Sequence, residues 1–346
     1  MYKGQADIKD VARKAKVSVS TVSRALNNYT DVSKTTKERI LQIVKELNYH
    51  PNSIAQGLVK QKTNILGFVL SYSSNAILLD LCMLEIIQGM MARIDSGNYN
   101  LCLLGQGLQF ETEETRLKLI KQKLLDGVII HATEPNLKLI RKLEEFDIPF
   151  VISGQFDANA SENWYSVSSD DFGGAFKATS YLIGLGHSRV GFIGQNTYRM
   201  VGSQERLDGY KQALEAKLIP FERDLVVNGD FTMESGFQGT LQLFKNQRPP
   251  SAIFAANDQM AMGAIKAANF LGLKVPEQLS VIGFDDMATA AFVSPALTTI
   301  RQQNFEIGSL SAKMLIDLLN HQKPEARQTI LPTSLIERDS CCAYHP

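Results

Sequence analysis

Apolar residues recur at helical spacing three times within the first 50 residues. Asp7 and Ser18, two residue types that cap helices, stand just before the first and second apolar sets. The third set predicts a helix over roughly Thr35 to Leu47. The apolar positions, in chain order, are Ile8, Val11, Ala12 and Ala15; Val22, Ala25 and Leu26; and Ile40, Ile43, Val44 and Leu47. Two short helices joined by a tight turn, with a third helix completing a small core, form a helix-turn-helix unit.

The opposite face of the second predicted helix carries short side chains and one guanidinium. Its residues are Val19, Ser20, Thr21, Ser23 and Arg24. Such a face suits the major groove of DNA, because arginine pairs with guanine through two hydrogen bonds, hydroxyls reach phosphates or base edges, and a methyl group contacts the methyl of thymine. An ordinary surface helical hairpin is the alternative interpretation of this segment alone.

Charge is unevenly distributed along the chain. Residues 1–62 hold twelve Lys and Arg against five Asp and Glu, a net charge of +7, whereas the remainder holds 24 against 31, a net charge of −7. A basic N-terminal unit is typical of a phosphate-binding module, and the acidic remainder argues against nucleic acid over the whole body. A solvated basic arm is the alternative interpretation, but such an arm would lack the apolar spacing of the third predicted helix.

Residues 51–63 predict a linker with helical potential. Pro51 blocks continuation of the preceding helix, Asn52 can cap a new one, and Gly57 lies near its centre. A helix of about eight residues falls below the roughly 12–15 that a marginal isolated helix needs, so the segment can be coil when free and helix when bound. A plain interdomain linker is the alternative. The predicted domains are therefore 1–50, 51–63 and 64–346.

From Asn64 onward, short buried strands alternate with amphipathic helices, which is the pattern of a parallel sheet covered on both faces. The predicted strands are Ile65–Ser71, Leu101–Gly105, Gly127–His131, Phe150–Gly154, Val190–Gly194, Ala252–Ala256 and Ser280–Phe284. The predicted helices are Leu79–Asp95, Glu113–Lys123, Phe172–Leu185, Gln204–Lys217, Ser235–Lys245, Gln259–Leu271 and Phe305–Leu319. Asp170 and Asp171 are expected to cap the third of these helices. The pattern restarts near Val190, which predicts two similar lobes with a ligand site between them, at the carboxyl ends of the strands.

The composition indicates two or three folded units in a reducing cytoplasm. The chain has 346 residues, of which 44% are hydrophobic and 21% charged, and this exceeds the needs of one typical domain. The four cysteines show no metal-ligand spacing with the five histidines, and the adjacent Cys341 and Cys342 do not form a disulfide framework. No apolar run reaches the roughly 18 residues of a membrane span, and the polar N-terminus is unlike a signal peptide. We expect no cofactor, no metal and no membrane partner.

Several motifs follow one another in a specific order. They are Asp10-Val11-Ala12, Val17-Ser18, Thr21-Val22-Ser23-Arg24, Leu47-Asn48-Tyr49 with Pro51-Asn52, Ala55 and Leu58, Leu185-Gly186-His187, Arg206 with Gly209-Tyr210, Ala256-Asn257-Asp258-Gln259-Met260-Ala261, Gly283-Phe284-Asp285-Asp286, and Leu297-Thr298-Thr299-Ile300. Through them the chain resembles the LacI/GalR family of bacterial transcriptional regulators over essentially its full length. The resemblance implies an α/β fold with an N-terminal helix-turn-helix headpiece, a hinge helix that orders on operator DNA, and a two-lobed, periplasmic-binding-protein-like effector domain with parallel sheets.

The resemblance also assigns DNA contacts residue by residue. The two variable base-reading positions fall on Val19 and Ser20, and the guanine-reading arginine falls on Arg24. Leu58 from each subunit would wedge into a base step and kink the duplex. The full predicted set is Ser18, Val19, Ser20, Thr21, Ser23, Arg24, Asn27, Ala55 and Leu58. One departure is Lys16, where family members often carry Gly or Asn, because a positive φ there costs lysine roughly 1 kcal/mol.

The corresponding effector-binding positions are Ser71, Arg206, Phe231, Asn257 and Asp285. Their chemistry suits a polyol, because Arg, Asn and Asp supply donors and acceptors for vicinal hydroxyls and Phe231 offers a flat face to the C–H side of a pyranose. Two alternatives remain open. Arg206 and Asp285 could form a salt bridge between the lobes, and Phe231 could pack in a core.

The implied function is a repressor of carbohydrate-utilisation genes that a sugar or sugar-derived inducer releases from its operator. The chain ends soon after Leu335–Arg338, without the extra heptad helix of tetrameric members, so we expect a homodimer. The alternatives are a regulator that requires a purine or another metabolite as co-repressor, and a transport sugar-binding protein, which would need an export signal. An enzyme is not expected, because no phosphate-cradling glycine loop, nucleophile elbow or metal triad occurs.

Overall fold

The computed structural model describes residues 6–27, 29–50, 62–73, 81–94, 99–106, 118, 121–122, 124–131, 137–155, 163–194 and 201–345. Two compact units divide the chain, Met1–Thr63 and Asn64–Pro346. The first unit is helical and the second is α/β. No helix in these ranges is both long enough and apolar enough to cross a membrane.

The N-terminal unit packs three helices around a small apolar core. The helices are α1 (Ile8–Ala15), α2 (Val19–Leu26) and α3 (Lys34–Glu46). The buried side chains of the core are Val11, Ala12, Ala15, Val22, Ala25, Ile40 and Ile43. All of them belong to the apolar sets of the sequence, and α3 lies one residue earlier at each end than predicted.

Side-chain caps begin α1 and α2 as predicted. The Oδ1 atom of Asp7 accepts a hydrogen bond from the backbone N–H of Asp10 at 2.9 Å, and Oδ2 of Asp10 accepts one from the N–H of Asp7 at 3.0 Å. The Oγ atom of Ser18 accepts a hydrogen bond from the N–H of Thr21 at 3.1 Å. Each of these bonds satisfies a backbone donor that the first turn of a helix leaves unpaired.

The turn between α1 and α2 passes through the left-handed region at Lys16, which has φ 51° and ψ 45°. The N–H of Lys16 donates to the carbonyls of Ala12 and Arg13 and so ends α1. The left-handed conformation costs a residue with a Cβ atom roughly 1 kcal/mol. The tight turn therefore forms in spite of the lysine.

The second unit alternates strands and helices. In chain order its elements are β1 (Ile65–Ser73), α4 (Leu81–Ile94), β2 (Asn100–Gln106), β3 (Gly127–His131), α5 (Leu137–Glu145), β4 (Phe150–Ser153), β5 (Ser166–Ser169), α6 (Asp171–Gly184), β6 (Val190–Gly194), α7 (Val201–Ala216), β7 (Val226–Asn228), α8 (Met233–Leu243), β8 (Ala252–Ala255), α9 (Asp258–Phe270), β9 (Ser280–Ile282), β10 (Thr299–Arg301), α10 (Asn304–Leu319), β11 (Gln328–Leu331) and β12 (Ser334–Ile336).

Two parallel sheets divide this unit into two lobes. The first lobe has six strands in the order β11-β5-β4-β3-β1-β2, and the second has four in the order β7-β6-β8-β9. In β1, Phe68 belongs to one apolar cluster and Val69 to another, so the first sheet is covered on both faces. In the second lobe, α6 packs against α7 and α8 packs against α9. The predicted restart near Val190 is confirmed, since β6 begins there.

The chain passes between the lobes three times. The passages lead from β5 into α6, from β10 into α10, and from β11 into β12. Strands β10 and β12 pair antiparallel beside the sheets. Because β5 and β11 are parallel neighbours and both continue into the second lobe, the carboxyl edge of the first sheet lies at the junction of the lobes.

The structure adds elements that apolar spacing did not predict. They are the short strands β5, β7, β10, β11 and β12, and the helix α5. Strand β5 consists of Ser166, Val167, Ser168 and Ser169, which are all buried. Because three of these four residues are serine, the sequence of β5 carries no apolar run. Most of the helix predicted over Glu113–Lys123, and most of the linker predicted over 51–63, lie outside the described residues.

Candidate DNA interface and effector site

The face of α2 that the sequence predicted to contact DNA is the solvent-facing one. Ser18, Ser20 and Arg24 are exposed, and Val19 is 41% exposed although it is apolar. Thr21 and Ser23 are half-buried. The opposite side of the helix is held in the core, so α2 presents these side chains on a rigid surface.

Three hydroxyls cluster at the start of α2. The Oγ atom of Ser18 lies 2.7 Å from Oγ of Ser20 and 2.8 Å from Oγ1 of Thr21. A helix N-terminus favours anions because its first backbone N–H groups are unpaired and its dipole is positive there. This end of α2 therefore has the chemistry to bind a phosphate.

Arg24, in the last turn of α2, is already engaged by two neighbours. Its Nη2 atom lies 2.6 Å from Oδ2 of Asp31, and its Cζ atom lies 5.4 Å from the centroid of the Tyr29 ring. Sequence reasoning assigned no role to Asp31 or Tyr29. Both follow α2 in a segment without helical spacing, and only their proximity to Arg24 in the fold distinguishes them.

Asn27 ends α2. Its Nδ2 atom donates a hydrogen bond to the carbonyl of Ser23 at 2.9 Å, so one of its two amide protons closes the helix. The two predicted hinge contacts, Ala55 and Leu58, lie outside the residues that the structure describes.

The predicted effector residues lie at the carboxyl edge of the second sheet. Phe231 follows β7, Asn257 follows β8 and Asp285 follows β9. The carbonyl of Ala256, also at this edge, accepts a hydrogen bond from Nη1 of Arg206. Parallel strands bring their carboxyl ends to one edge, which is where ligands bind in open α/β sheets.

The guanidinium of Arg206 is fixed by several groups of the second lobe. Its Nε atom donates to Oδ1 of Asp171 at 2.7 Å, and its Nη1 atom lies 3.6 Å from Oδ1 of Asp285. The Cζ atom lies 3.8 Å from the centroid of the Phe284 ring. Among the described residues Nη2 has no hydrogen-bond partner, so this nitrogen can donate to a ligand. The ion pair with Asp285 lies within one lobe, and the interlobe salt bridge considered from the sequence is wrong.

Asp171 was predicted only as a helix cap, yet it is the partner that holds Arg206. Burial acts to lower the pKa of Arg206, but the charges of Asp171 and Asp285 outweigh it and raise that pKa. Burial also raises the pKa of Asp171, and Arg206 opposes this effect. A buried cation between two carboxylates results. The predicted cap at the start of α6 is made by Asp170, whose Oδ1 atom accepts from the N–H of Gly173 at 2.7 Å.

Asn257 positions the backbone around the site. Its Oδ1 atom accepts a hydrogen bond from the N–H of Met260 at 2.8 Å and caps α9, while Nδ2 donates to the carbonyl of Phe231 at 3.0 Å. Phe231 has φ 67° and is partly buried against the apolar core of the second lobe. Asn257 thus ties the Phe231 turn to the start of α9 and keeps one amide proton for a ligand.

Asp285 has φ 116°, a conformation that residues with a Cβ atom rarely adopt. Its N–H donates to the carbonyl of Ile300 at 2.7 Å, and its Oδ1 atom accepts from Nε2 of Gln302 at 2.7 Å. Nearby, burial and the charge of Asp285 raise the pKa of Asp258 well above its usual range. Sequence reasoning missed Gln302, although it directly follows β10.

Ser71 is a residue of β1, near the carboxyl end, and its side chain lies outside the described part of the chain. In the described ranges, no group of three or more His, Cys, Asp or Glu side chains has the arrangement of a metal site. The donors and acceptors on the second lobe have the chemistry to form hydrogen bonds with hydroxyl groups.

Two sequence profiles match the chain. The profile described as "Bacterial regulatory proteins, lacI family" matches residues 7–52, and that described as "Periplasmic binding protein-like domain" matches residues 179–341. These ranges contain the helix-turn-helix unit and most of the second lobe.

Relatives with curated names match nearly the whole chain. The HTH-type transcriptional regulator RegA of Clostridium acetobutylicum is 34% identical over 337 residues, which cover 97% of this chain and 99% of RegA. The HTH-type transcriptional repressor PurR of Photorhabdus laumondii is 35% identical over 336 residues, which cover 97% of this chain and 96% of PurR.

Solved structures show the same architecture. A Lac repressor dimer bound to operator and the anti-inducer ONPF matches with a TM-score of 0.83 and 27% identity, over 98% of this chain and 99% of that chain. The transcriptional regulator CelR in complex with cellobiose matches with a TM-score of 0.75 and 29% identity, over 97% and 99%.

Proposed function

This chain belongs to the LacI family of bacterial transcriptional regulators, DNA-binding proteins rather than enzymes, and we propose that it is a cytoplasmic repressor of carbohydrate-utilisation genes that a sugar or sugar-derived inducer releases from its operator. The observation that carries the proposal is the edge of the second lobe. There the engaged Arg206, the remaining amide proton of Asn257 and the carboxylate of Asp285 lie at the same sheet edge as Phe231, which is partly buried.

The DNA-binding role belongs to α2 and the linker. Val19 and Ser20 select bases, Arg24 reads a guanine, and Ser18, Thr21, Ser23 and Asn27 contact phosphates or base edges. The exposure of this face and the net charge of +7 over residues 1–62 support the assignment. Ala55 and Leu58 enter the minor groove.

The proposed effector residues are polar and are held in place by neighbouring groups, which suits the binding of a sugar. Nη2 of Arg206 and the free proton of Asn257 donate to hydroxyl oxygens, and Asp285 accepts from hydroxyl protons. Phe231 covers the C–H face of the ring. Ser71 adds a hydroxyl from the first lobe. The cellobiose bound to the related CelR supports a saccharide as the ligand class.

An inducer acts by its differential affinity for two arrangements of the lobes. The two carboxylates that hold Arg206, those of Asp171 and Asp285, belong to the second lobe, so this arrangement keeps its geometry when the lobes move. A ligand that also contacts the first lobe favours one lobe arrangement over others, and only this difference in affinity changes DNA binding.

The protein acts as a homodimer on a near-palindromic operator. Two aromatic rings of the second lobe are strongly exposed, Phe292 at 88% and Phe270 at 73%. Exposed aromatic side chains are enriched at protein interfaces. The related Lac repressor is a dimer on its operator.

A thermal-shift panel of sugars, sugar phosphates and purines tests the effector class. A ligand that binds only the folded chain raises the melting temperature by mass action. We expect stabilisation by a mono- or disaccharide and no effect of purines. Stabilisation by a purine alone, with tighter operator binding in its presence, would replace the inducer by a co-repressor.

A further inference from the structure

Two side chains outside the recognition helix contact Arg24. The carboxylate of Asp31 lies 2.6 Å from Nη2 of Arg24, and the ring of Tyr29 lies 5.4 Å from its Cζ atom. All three side chains are about half exposed, at 52% for Arg24, 49% for Asp31 and 48% for Tyr29. The contacts therefore lie on the surface that we assign to DNA.

We propose that Asp31, assisted by Tyr29, is a positioning residue that orients Arg24 toward a guanine and thereby sets how strongly the protein distinguishes its operator from other DNA. The inference rests on the proposed base-reading role of Arg24. It assigns specificity to residues that follow the recognition helix.

The number of donors on the guanidinium allows Arg24 to keep its ion pair with Asp31 and to read a base at the same time. A guanidinium has five N–H donors, and a guanine uses two of them through O6 and N7. The ion pair with Asp31 is formed at Nη2, and Nε and Nη1 carry three further N–H donors. The guanidinium lies over the Tyr29 ring, and this contact restricts the rotation of the arginine side chain. Arg24 thus loses less side-chain freedom when it meets the base.

The negative charge of Asp31 disfavours contacts between Arg24 and the phosphates of the DNA backbone. A phosphate attracts any nearby guanidinium regardless of sequence, and this attraction dominates non-specific binding. Asp31 repels phosphates and competes with them for Arg24. Its removal is therefore expected to weaken base preference and to strengthen binding to non-operator DNA.

The chain offers a matched control for the charge change. Glu46 pairs with Lys14 at 2.8 Å in the same unit, with similar exposure, and it does not contact Arg24. Glu46→Gln and Asp31→Asn each remove one negative charge from an exposed pair. Both variants should bind non-operator DNA more tightly, but only Asp31→Asn should change the preference for a base.

The experiment measures affinities of the full-length protein for an operator selected from a random library, with each of the four bases at every position. The base pair whose preference disappears in Arg24→Ala identifies the pair that Arg24 reads. At this pair we expect Asp31→Asn to reduce the preference for guanine about fivefold, since an exposed ion pair contributes modestly. In the Arg24→Ala background Asp31→Asn should have no further effect on that preference.

Tyr29 supplies a second test that leaves the charge unchanged. Tyr29→Phe retains the ring and should keep the base preference, whereas Tyr29→Leu should lower it. An unchanged preference in both Asp31→Asn and Tyr29→Leu, with Arg24→Ala still losing it, overturns the inference alone. An unchanged preference in Arg24→Ala overturns the base-reading role on which it rests.

Discussion

Charged side chains at the effector site are largely buried against one another. Arg206 is only 12% exposed and contacts Asp171 and Asp285. The preceding residue on α7, Glu205, is in the same field of negative charge. Burial, followed by repulsion from Asp171 and Asp170, raises the pKa of Glu205 to about 7. One acidic group near the site therefore takes up a proton near neutral pH.

This raised pKa makes stability dependent on pH. The folded chain binds the Glu205 proton more tightly than the unfolded chain does. The contribution of this proton to stability is therefore full below the ordinary pKa of 4.5 and is lost as pH rises through the folded-state pKa of about 7. Glu205→Gln should remove this loss and stabilise the protein at pH 8 by on the order of 1 kcal/mol, after allowance for partial exposure. Urea unfolding at pH 5 and pH 8 measures the effect. Glu215→Gln, on the exposed side of α7, is the control, and a parent-like pH dependence in Glu205→Gln would contradict the prediction.

At the residue scale, the sequence predicted contacts between residues that lie close together along the chain. The caps at Asp7, Ser18 and Asp170 follow from residue type and position at a helix start. The contact between Asp171 and Arg206 joins residues 35 positions apart, and no local pattern indicates it. Such contacts depend on where the fold places two elements.

At the element scale, α4 and α10 approach each other through glycines. A Cβ atom at Gly89 would lie 1.9 Å from the carbonyl oxygen of Phe305, and one at Gly308 would lie 1.9 Å from that of Ile86. Backbone cannot move aside as a flexible side chain can. These two helices belong to distant parts of the sequence, and their close packing joins α10, which follows the second chain passage, to α4 of the first lobe.

Gly89→Ala should therefore destabilise the protein by about 1–3 kcal/mol, because the helices must separate. Gly184 provides the control, since a Cβ atom there would meet nothing within 4 Å. Gly184→Ala should stabilise α6 by roughly 0.5–1 kcal/mol. Chemical denaturation of both variants checks the signs, and a loss of stability in Gly184→Ala equal to that in Gly89→Ala would refute the packing argument.

Strands with a short apolar run were predicted from the sequence, and strands without one were missed. Strands β3 and β6 have the predicted bounds, since Gly127–His131 and Val190–Gly194 are short apolar runs. Strand β5 was missed because its residues are mostly serine. Strand β11 was missed because it joins the first sheet from a distant part of the chain, as an edge strand with exposed positions.

At the scale of the whole molecule, a basic unit of +7 is joined to an acidic body of −7. Attraction to DNA is thereby concentrated in residues 1–62. The large exposed rings of the body are the features that a second copy would cover.

Phe292→Asp should shift the protein from dimer to monomer and weaken operator binding, because a carboxylate in an apolar interface has no partner. Sedimentation velocity at micromolar concentration measures the assembly. Leu218→Asp is the control at a residue of similar exposure, 92%, since leucine is under-represented at interface hot spots. A Phe292→Asp protein that sediments as the parent does would remove Phe292 from the interface.

A sugar bound beside Arg206, at the carboxyl edge of the second sheet, is expected to release the protein from its operator. The most direct measurement is operator affinity with and without a saturating concentration of the sugar that raises the melting temperature, for the parent and for Asp285→Asn. Asparagine keeps an acceptor for Gln302 but loses the charge that faces the ligand. We expect the parent to lose at least about tenfold in affinity with sugar, a typical allosteric coupling, and Asp285→Asn to hold the operator equally in both conditions. Equal operator affinity of the parent with and without the sugar, or tighter binding with it, would contradict the account.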